Sequence, residues 1–318
     1  MATKILIRSS AAAALLLAAS LALDVRTAPA QPAGTTLRVT RTLAHLPEQP
    51  AAYDWPVEPF DRQHPVRGFL DDPRIGAHGS HAFHFGIDIS APDGTPVYAV
   101  EAGEVFFDSG RAIAVVASPS HEFGYWHIVP VVKSHQHVAR HQLLGYVDTG
   151  WEHVHFAERL NGVYLNPLRP GGLGPYADVT APDVASISVR PLPGGGFQVL
   201  ASAYDTPSPR VPGDWADEPV TPALLRWRVL RDGRPDSDWT TAADFRSRML
   251  DAKLFPSIYT PATRQNHKGE PGFFSFYLAQ EWKPADGSYR LEVQALDTRG
   301  NEADARLDVS IADGELQG

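Results

Sequence analysis

Two short motifs carry residue types that can bind a metal ion, and the first of them, HFGID, holds His84 and Asp88. Positions i and i+4 of a β-strand face the same side of a sheet, so these two side chains are expected to lie together. Gly86 between them would leave room for an ion, while Ile87 and Ile89 would face the core. Taken alone, the motif fits an ordinary strand with a surface histidine and aspartate equally well.

The second motif is HVHF, in which His153 and His155 are two positions apart. The two imidazoles would share one face of a strand, while Val154 and Phe156 would take the other. This pattern suits one metal ligand beside one catalytic group, and the alternative is a pair of solvent-facing histidines on an exposed sheet. A third histidine, His127 in the motif YWHI, is a weak signal by itself, because a single histidine among apolar residues is usually structural.

Together these motifs provide two histidine ligands, one aspartate ligand and two further histidines. Zn²⁺ favours tetrahedral nitrogen and oxygen ligands, and a catalytic zinc site keeps one position open for water. Bound zinc lowers the pKa of that water to about 7 and polarises a scissile carbonyl. Neutral imidazoles nearby can take the proton of the water and stabilise the tetrahedral oxyanion. The residue types therefore predict a zinc hydrolase.

The order and spacing of the three motifs resemble those of the LytM/lysostaphin-type zinc metallopeptidases, peptidase family M23. The first motif of that family, H-x-x-x-D, is matched by His84 and Asp88. Its Y-x-H motif falls on His127, and its H-x-H motif falls on His153 and His155. The stretch HFGIDISAPDGTPVYAVEAGEV and the later stretch NGVYLNPL are also similar to the corresponding segments of the family.

This resemblance implies both a ligand set and a reaction. His84, Asp88 and His155 are expected to bind one Zn²⁺ per chain, and His127 and His153 to act as general base and transition-state stabiliser. The family has a compact antiparallel β fold with a groove across the sheet, and most of its members cut peptides of peptidoglycan. We therefore expect peptidoglycan peptides as the partner of this chain.

Some residues depart from the family pattern, within a resemblance that covers about Trp55 to Leu168. The Gly/Ser-rich turn that usually precedes H-x-H is replaced by DTGWE, so Trp151 and Glu152 are expected beside the metal, where they would narrow the groove. Glu158 comes one residue later than the acidic residue of the family. These differences bear on the substrate more than on the metal.

Other residues near the motifs have competing interpretations. His81 lies three residues before His84 and is a possible competing ligand. His135, His137 and His141 are interpreted as loop residues rather than as a second metal site. Arg74 is able to meet a substrate carboxylate, but a surface salt bridge is the more ordinary expectation.

The predicted fold class is all-β, because Pro and Gly are abundant and alternating apolar residues recur in short runs. The predicted strands of the first part are Gly86–Ser90, Pro96–Ala99, Gly103–Phe107, Ala112–Ala117, Tyr125–Val129 and Val154–Ala157. In the second part, strict alternation within 197–203, 225–229, 289–295 and 305–311, with a turn at Asp297–Asn301, is typical of an immunoglobulin or fibronectin-like β-sandwich.

The predicted domain organisation follows from these patterns. It comprises a signal peptide (1–30), an N-terminal linker or first strand (31–54), an M23-type zinc peptidase domain (55–169), a linker (170–178) and an immunoglobulin-like sandwich (179–315). A short pro-segment over the active site is a further interpretation of 31–54. The sandwich is interpreted as a spacer or as a wall-targeting module.

The N-terminal residues predict export. Lys4 and Arg8 precede an apolar run from Ala11 to Leu23, and Ala28-Pro29-Ala30 fits a cleavage site. The alternative is an uncleaved membrane anchor, and no second run of spanning length follows. The protein is therefore expected to be secreted, to the periplasm or to the extracellular space and cell wall, with no membrane span after removal of the signal.

Composition excludes several classes of function. The formal net charge of −9 and the lack of a basic patch argue against nucleic acid as a partner. The chain has no cysteine, which excludes disulfides, cysteine-ligated zinc and a cysteine nucleophile.

Three functions remain as hypotheses. The first is an active zinc endopeptidase, which the complete set of ligand residues favours. The second is a non-catalytic M23-like protein that binds the wall or activates another hydrolase. The third is a secreted adhesion protein whose sandwich is the functional part. Glycyl bridges, D-Ala–diaminopimelate links and ordinary proteins all remain open as substrates, and the sequence leaves the oligomeric state open.

Overall fold

The computed structural model describes residues 37–44, 50–76 and 79–317, and these residues form short antiparallel sheets with very little helix. This confirms the prediction of an all-β protein. The predicted signal peptide at residues 1–30 lies outside the described residues. Within the described part of the chain, no helix has the length and apolar character that crossing a membrane requires.

The strands as far as residue 165 are mostly short. In chain order they are β1 (Arg38–Thr42), β2 (Val66–Gly68), β3 (Pro73–Ile75), β4 (His81–Phe83), β5 (Ile87–Ser90), β6 (Pro96–Tyr98), β7 (Gly103–Ser109), β8 (Ala112–Ser118), β9 (His121–Trp126), β10 (Ile128–Pro130), β11 (His137–Val138), β12 (Leu143–Val147), β13 (His153–Leu160) and β14 (Val163–Leu165).

The strands after residue 180 include several longer ones. They are β15 (Asp183–Pro191), β16 (Phe197–Tyr204), β17 (Leu224–Arg231), β18 (Arg234–Pro235), β19 (Thr240–Asp244), β20 (Ser275–Trp282), β21 (Gly287–Leu296), β22 (Glu302–Ala312) and β23 (Glu315–Gln317). One helix, α1 (Phe255–Ile258), and 3₁₀ turns at Gly213–Trp215 and Ala252–Leu254 lie between them.

The large sheet of the first part brings the histidine motifs together. Its strand order is β11-β7-β8-β9-β13-β5-β2, with β14 paired to β13, and neighbouring strands are antiparallel. In this order β13 lies between β5 and β9. The register places His155 opposite Asp88 on β5 and opposite Trp126 on β9. Motifs that are distant in sequence therefore become neighbours on one sheet.

Alternation along β5 and β13 separates the site from the core. Ile87 and Ile89 are buried in the first apolar core, as predicted for the face opposite Asp88. Val154 and Phe156 of β13 are buried in the same core. Because successive side chains of a strand point to opposite faces, this packing directs the intervening polar side chains away from the core.

Two predicted strands differ from the structure at the site. The predicted strand Tyr125–Val129 is interrupted at His127, which has the left-handed backbone value φ = 64°. As a result β9 ends before His127, and β10 joins a separate sheet with the order β10-β12-β6. His84 lies in an irregular segment between β4 and β5, so a bend rather than a continuous strand brings it beside Asp88.

The second part consists of two antiparallel sheets that share an apolar core. One sheet has the order β1-β22-β21-β17-β18, with β19 on β17 and β23 on β22, and the other has the order β15-β16-β20. Buried residues of both sheets, such as Val199 and Leu291, belong to one cluster. The immunoglobulin or fibronectin type of this arrangement stays a prediction, as do the domain boundaries.

The strand near the N-terminus belongs to the second part rather than the first. The sequence allowed a first strand within 31–54, and β1 pairs along its length with β22, from Arg38 opposite Arg306 to Thr42 opposite Glu302. The first described strand therefore belongs to a sheet of the second part. The strands of the first part follow it in the chain, and the other strands of the second part begin at β15.

Residues of each part also enter the other part. Phe83 from β4 is buried in the second core, and Val220 is buried in the first. The backbone N–H of Thr221 donates to a carboxylate oxygen of Asp72 at 2.8 Å, and the hydroxyl of Tyr259 donates to the carbonyl of Asp71 at 2.9 Å. The two parts therefore meet directly behind the segment that leads to His84.

Candidate metal centre

One donor atom from each of His84, Asp88 and His155 converges on a single point, and these three side chains are called the histidine site. Nε2 of His84 lies 2.8 Å from Nδ1 of His155. Each of these nitrogens lies 3.1 Å from Oδ1 of Asp88. The structure thus brings together the three residues that the sequence predicted as ligands, and two imidazole nitrogens with one carboxylate oxygen form a donor set that Zn²⁺ accepts.

The imidazole of His84 is oriented by the backbone. Its Nδ1 lies 2.8 Å from the carbonyl oxygen of Phe69, which can only accept a hydrogen bond. Nδ1 therefore carries the proton, and the lone pair of Nε2 faces the histidine site. Burial lowers the pKa of His84, which keeps the ring neutral. A metal-binding histidine commonly has this kind of second hydrogen bond, so the geometry fits a ligand.

His155 faces the histidine site with Nδ1, whereas His84 faces it with Nε2. Its Nε2 is buried and has no hydrogen-bond partner among the described residues. Burial lowers the pKa of His155 to about 4, so this ring is also neutral. The rings of Phe85 and Trp126 lie 4.3 and 5.1 Å from the imidazole and hold it from one side.

Gly86 has a different role from the predicted one. A Cβ atom at this position would lie 2.9 Å from Nε2 of His155 and would collide with the carbonyl oxygen of Phe156. Gly86 therefore makes room for the imidazole of His155 and the neighbouring strand, rather than for an ion. The expectation was wrong because it considered one strand alone, whereas the close neighbour comes from β13.

Asp88 is fixed from the side opposite the histidines. Nη2 of Arg74 donates to Oδ2 at 2.7 Å, so Oδ1 remains for the histidine site. Burial alone would raise the pKa of Asp88, but the imidazoles beside it and Arg74 hold that pKa well below its usual range. Arg74 thus forms a salt bridge, as expected, but its partner is a predicted metal ligand. The carboxylate is accordingly ionised and ready to bind a cation.

His153 lies next to the histidine site without being part of it. Its Nε2 is 3.4 Å from Oδ1 of Asp88. Its Nδ1 is 2.6 Å from Nη2 of Arg67 and 2.6 Å from the carbonyl oxygen of Trp151. Arg67 also donates to that carbonyl at 2.8 Å. Because a guanidinium can only donate, Nδ1 of His153 accepts the hydrogen bond from Arg67. We therefore assign the proton to Nε2, which faces the site as a hydrogen-bond donor.

His127 approaches the site from the interruption between β9 and β10. Its ring centre lies 4.7 Å from that of His153 and 6.4 Å from that of His155. The indole of Trp151 stacks on it at 3.6 Å. Burial lowers the pKa of His127 to about 3. A neutral imidazole is the form that can accept a proton.

The loop that carries Trp151 is held by the carboxylate of Asp93, whose role no sequence motif indicated. Oδ2 of Asp93 accepts from the N–H of Gly150 at 2.7 Å, and its Oδ1 accepts from the N–H of Glu152 at 3.0 Å. The pair Asp93-Gly94 is a turn signal in the sequence, and it forms a turn. Its carboxylate additionally fixes the position of Trp151 over His127.

Residues of the second part reach this same loop. Nζ of Lys268 lies 2.8 Å from both carboxylate oxygens of Glu152, and the indole N–H of Trp215 donates to Glu152 at 3.4 Å. The guanidinium of Arg67 lies 3.8 Å from the centre of the Trp215 ring. No motif in the sequence pointed to Arg67, Trp215 or Lys268. The roles of Trp215 and Lys268 arise only when the two parts pack together.

The remaining histidines lie outside the histidine site. His81 stacks on Phe255 at 4.5 Å and is exposed, so it does not compete as a ligand. His135 pairs with Glu104 and His141 with Asp54, while His137 is exposed. Within the described residues, these three histidines do not form a group with metal-binding spacing.

Glu158 faces the core side of β13. It is buried and accepts hydrogen bonds from Tyr53 at 2.7 Å, from His121 at 2.9 Å and from both terminal nitrogens of Arg169. Its shift relative to the family pattern therefore places it in a structural network that anchors the strand behind His155.

The comparison with protein families agrees with the motifs. The model of peptidase family M23 matches residues 82–167, a range that includes the histidine site together with His127 and His153. The resemblance found in the sequence is therefore confirmed for this segment. No curated protein shows significant similarity to the chain.

Several solved structures are similar to part of the chain. A zinc-containing peptidase from Vibrio cholerae has 23% identity over 37% of this chain and 39% of that chain, with a TM-score of 0.32. A mutant catalytic domain of the M23 protein EnpA from Enterococcus faecalis has 25% identity, 46% and 98% coverage and a TM-score of 0.26. The M23 metalloprotease pseudoalterin from the deep sea has 15% identity, 60% and 98% coverage and a TM-score of 0.28. The chain thus spans 39% of the length of the Vibrio cholerae peptidase.

Proposed function

We propose that this chain, whose residues 82–167 match peptidase family M23, is a secreted zinc endopeptidase that hydrolyses peptide bonds in the stem peptides or cross-bridges of peptidoglycan. The observation that carries the proposal is the convergence of His84, Asp88 and His155, with donor atoms 2.8 to 3.1 Å apart. The family match supports a peptidase, and the predicted signal peptide supports secretion.

The histidine site is suited to holding Zn²⁺ in a catalytic rather than a structural way. Its three side chains would leave a coordination position for water, as catalytic zinc sites do. Zn²⁺ bound to these atoms supplies a water of pKa about 7 and polarises the scissile carbonyl. Arg74 and the carbonyl of Phe69 hold Asp88 and His84 in the orientation that binding requires.

His127 and His153 have separate roles in the reaction, the first as a proton acceptor and the second as a hydrogen-bond donor. His127, whose ring centre lies 4.7 Å from that of His153, acts as the general base that takes a proton from the attacking water. His153, whose Nε2 carries a proton directed at the site, donates a hydrogen bond to the oxyanion of the tetrahedral intermediate. Arg67 keeps this proton on Nε2 by occupying Nδ1. His153 is thus assigned by its hydrogen-bond partners, and His127 by its position beside His153.

Aromatic side chains border the site and would contact an extended peptide. Phe85, Trp126 and Tyr164 lie on the His155 side, where the ring of Phe85 is 5.0 Å from Trp126 and 5.1 Å from Tyr164. Trp151, which is partly exposed, covers His127 on the other side. Flat apolar walls of this kind bind small or flexible peptide units by contact area rather than by charge.

The test is digestion of purified peptidoglycan with the mature protein, followed by mass spectrometry of the fragments and metal analysis of the enzyme. We expect about one Zn²⁺ per chain, and EDTA should abolish cleavage. His155→Ala should lose both zinc and activity, whereas His127→Ala should keep zinc and lose activity. His137→Ala, which changes an exposed histidine of the same part, should keep both.

One result would overturn the proposal in favour of a non-catalytic wall-binding or hydrolase-activating protein. In that case the wild-type protein would bind zinc and wall fragments but release no new peptide ends from peptidoglycan or from other peptides. The same mass spectra would identify the bond that is cleaved if activity is present.

A further inference from the structure

A second group of metal-ligating side chains lies in the other part of the molecule. Asp178, Asp205 and Asp297 come from three separate segments: the stretch before β15, the end of β16 and the turn after β21. One oxygen from each carboxylate lies within 4.8 Å of the other two. These residues are called the aspartate cluster.

The aspartate cluster is buried, which is unusual for three acids. Asp205 is 1% exposed and Asp297 is 3% exposed, and Asp178 is partly buried. Burial raises the pKa of Asp205 well above its usual value, and the carboxylates of Asp178 and Asp297 raise it further. Burial also raises the pKa of Asp178, against a smaller opposite effect of the Arg299 charge, and one guanidinium does not balance three carboxylates.

Asp205 has an oxygen that the protein leaves unsatisfied. Its Oδ1 accepts from the N–H of Thr206 at 2.8 Å, but its Oδ2 is buried and has no hydrogen-bond partner among the described residues. A buried carboxylate oxygen without a donor is strongly unfavourable unless a cation or a proton is bound to it. This orphan oxygen belongs to the residue that is most deeply buried in the cluster.

The other two carboxylates are held rigidly in place. Asp178 accepts from the N–H and the hydroxyl of Thr180 at 3.0 and 2.7 Å. Asp297 accepts from the backbone N–H groups of Arg299 and Asn301 at 2.7 and 2.9 Å. Hydrogen bonds of this kind orient metal ligands without occupying all their lone pairs. The cluster is therefore preorganised around Asp205.

We propose that the aspartate cluster binds a Ca²⁺ ion. The donor set consists of carboxylate oxygens alone, which suits a hard cation and not Zn²⁺. Ca²⁺ accepts six to eight oxygen ligands in flexible geometry, including bidentate carboxylates and water, whereas Mg²⁺ demands a near-ideal octahedron. A divalent cation would also provide the charge that the three acids lack and the partner that Oδ2 of Asp205 lacks.

The ion would connect both parts of the molecule at their boundary. The backbone of Asp205 pairs with Val220, a residue of the first core, through hydrogen bonds of 2.7 and 3.0 Å. The side-chain amide of Asn301 donates to the carbonyl of Asp178 at 3.2 Å, and its oxygen accepts from the N–H of Ala44 at 2.8 Å. Ca²⁺ at this position would stabilise the junction without touching the histidine site.

The experiment is a thermal-unfolding and calorimetric titration of zinc-loaded protein with CaCl₂ after desalting into calcium-free buffer. At about 10 mM CaCl₂, roughly one hundred times a Kd of about 10⁻⁴ M, mass action should raise the Tm by about 5 °C. Asp205→Asn should abolish both the Tm shift and the heat of binding. The exposed control Asp238→Asn should respond as the wild type does.

Asp205→Asn keeps the shape of the side chain and relieves repulsion, so the variant should fold and should be at least as stable as the calcium-free wild type. Native mass spectrometry provides a second measurement, with one Ca²⁺ expected in the wild type and none in the variant. Absence of binding at 10 mM CaCl₂, an equal response to MgCl₂, or calcium binding that survives Asp205→Asn would each overturn the proposal. Zinc content, measured in the same samples, keeps this result separate from that of the histidine site.

Discussion

Asp88 and Asp205 each belong to a group of three metal-ligating side chains, but their neighbours differ in kind. Asp88 lies beside the imidazoles of His84 and His155, whereas Asp205 lies beside two further carboxylates. Imidazole nitrogens suit zinc and related ions, whereas carboxylate oxygens alone suit calcium, magnesium or manganese. The type of donor atom therefore distinguishes the two groups more clearly than the number of acids in them.

The two groups also differ in charge before any metal binds. Arg74 already pairs with Asp88, and the ligand histidines are neutral, so the histidine site is nearly balanced. In the aspartate cluster the carboxylates repel one another, and Oδ2 of Asp205 has no partner within the described residues. Removal of the metal from the histidine site should therefore abolish activity. Removal of the metal from the aspartate cluster should lower the thermal stability of the protein.

Replacing an aspartate by asparagine in each of the two groups gives the largest expected difference in zinc content and kcat/KM. Asp88→Asn removes the charge between the ligand histidines, so zinc should be lost and kcat/KM should fall by about 10³-fold or more. Asp205→Asn should keep about one zinc per chain and leave kcat/KM within about twofold of wild type. Metal analysis and peptidoglycan cleavage assays on both variants measure the contrast. If both variants lost zinc and activity, the two groups would be coupled, and the comparison would fail.

A second prediction concerns the space around His155. Gly86→Ala adds a Cβ that meets a backbone carbonyl and the imidazole of His155, so the ligand should shift by several tenths of an ångström. Displacements of about 1 Å at a catalytic group lower rates by about 10²-fold, so kcat should fall by about 10- to 100-fold with weaker zinc binding. The calcium-dependent Tm shift should be unchanged.

The control for this substitution is Gly110→Ala, because a Cβ at Gly110 meets no atom within 4 Å. That variant should keep full activity. A wild-type zinc affinity and rate for Gly86→Ala would show that the ligand histidine tolerates displacement, and the site would then be less preorganised than its geometry indicates.

Motif spacing predicted His84, Asp88 and His155 as ligands, and the structure brings these three side chains together, while their role as ligands stays a prediction. His153 and His155 share a face for the same reason that Val154 and Phe156 share the core face. The break at His127 was not predicted, since nothing in YWHI indicates a residue with positive φ. That break is what separates the proposed base from strand β9 and directs it towards the site.

Interactions between distant segments were beyond the reach of the sequence patterns. The turn Asp297–Asn301 was identified, but its meeting with Asp178 and Asp205 depends on how two sheets and a linker pack. Likewise, Arg67 had no recognisable motif, although it occupies Nδ1 of His153. Alternation predicts which face of a strand a residue occupies, and it does not predict which loop covers that face.

The smallest predicted effect tests whether the second part influences the histidine site at all. Trp215 packs at 3.8 Å on the guanidinium of Arg67, which in turn holds His153. Trp215→Ala should loosen Arg67 and lower kcat by about 3- to 10-fold, the equivalent of about 1 kcal/mol of cation–π and packing energy, with zinc content unchanged. Steady-state kinetics on soluble peptide fragments measure this effect.

Trp239 provides a matched control within the same part, because its ring lies 4.9 and 4.6 Å from the guanidinium groups of Arg226 and Arg228 on β17. Trp239→Ala removes a cation–π contact of the same type, so it should affect stability but leave kcat within about twofold. If both tryptophan variants lowered kcat equally, the effect would come from general loosening of the second part. If Trp215→Ala alone lowered it, the second part would contribute a positioning contact to the proposed active site, while its aspartate cluster would act on stability only.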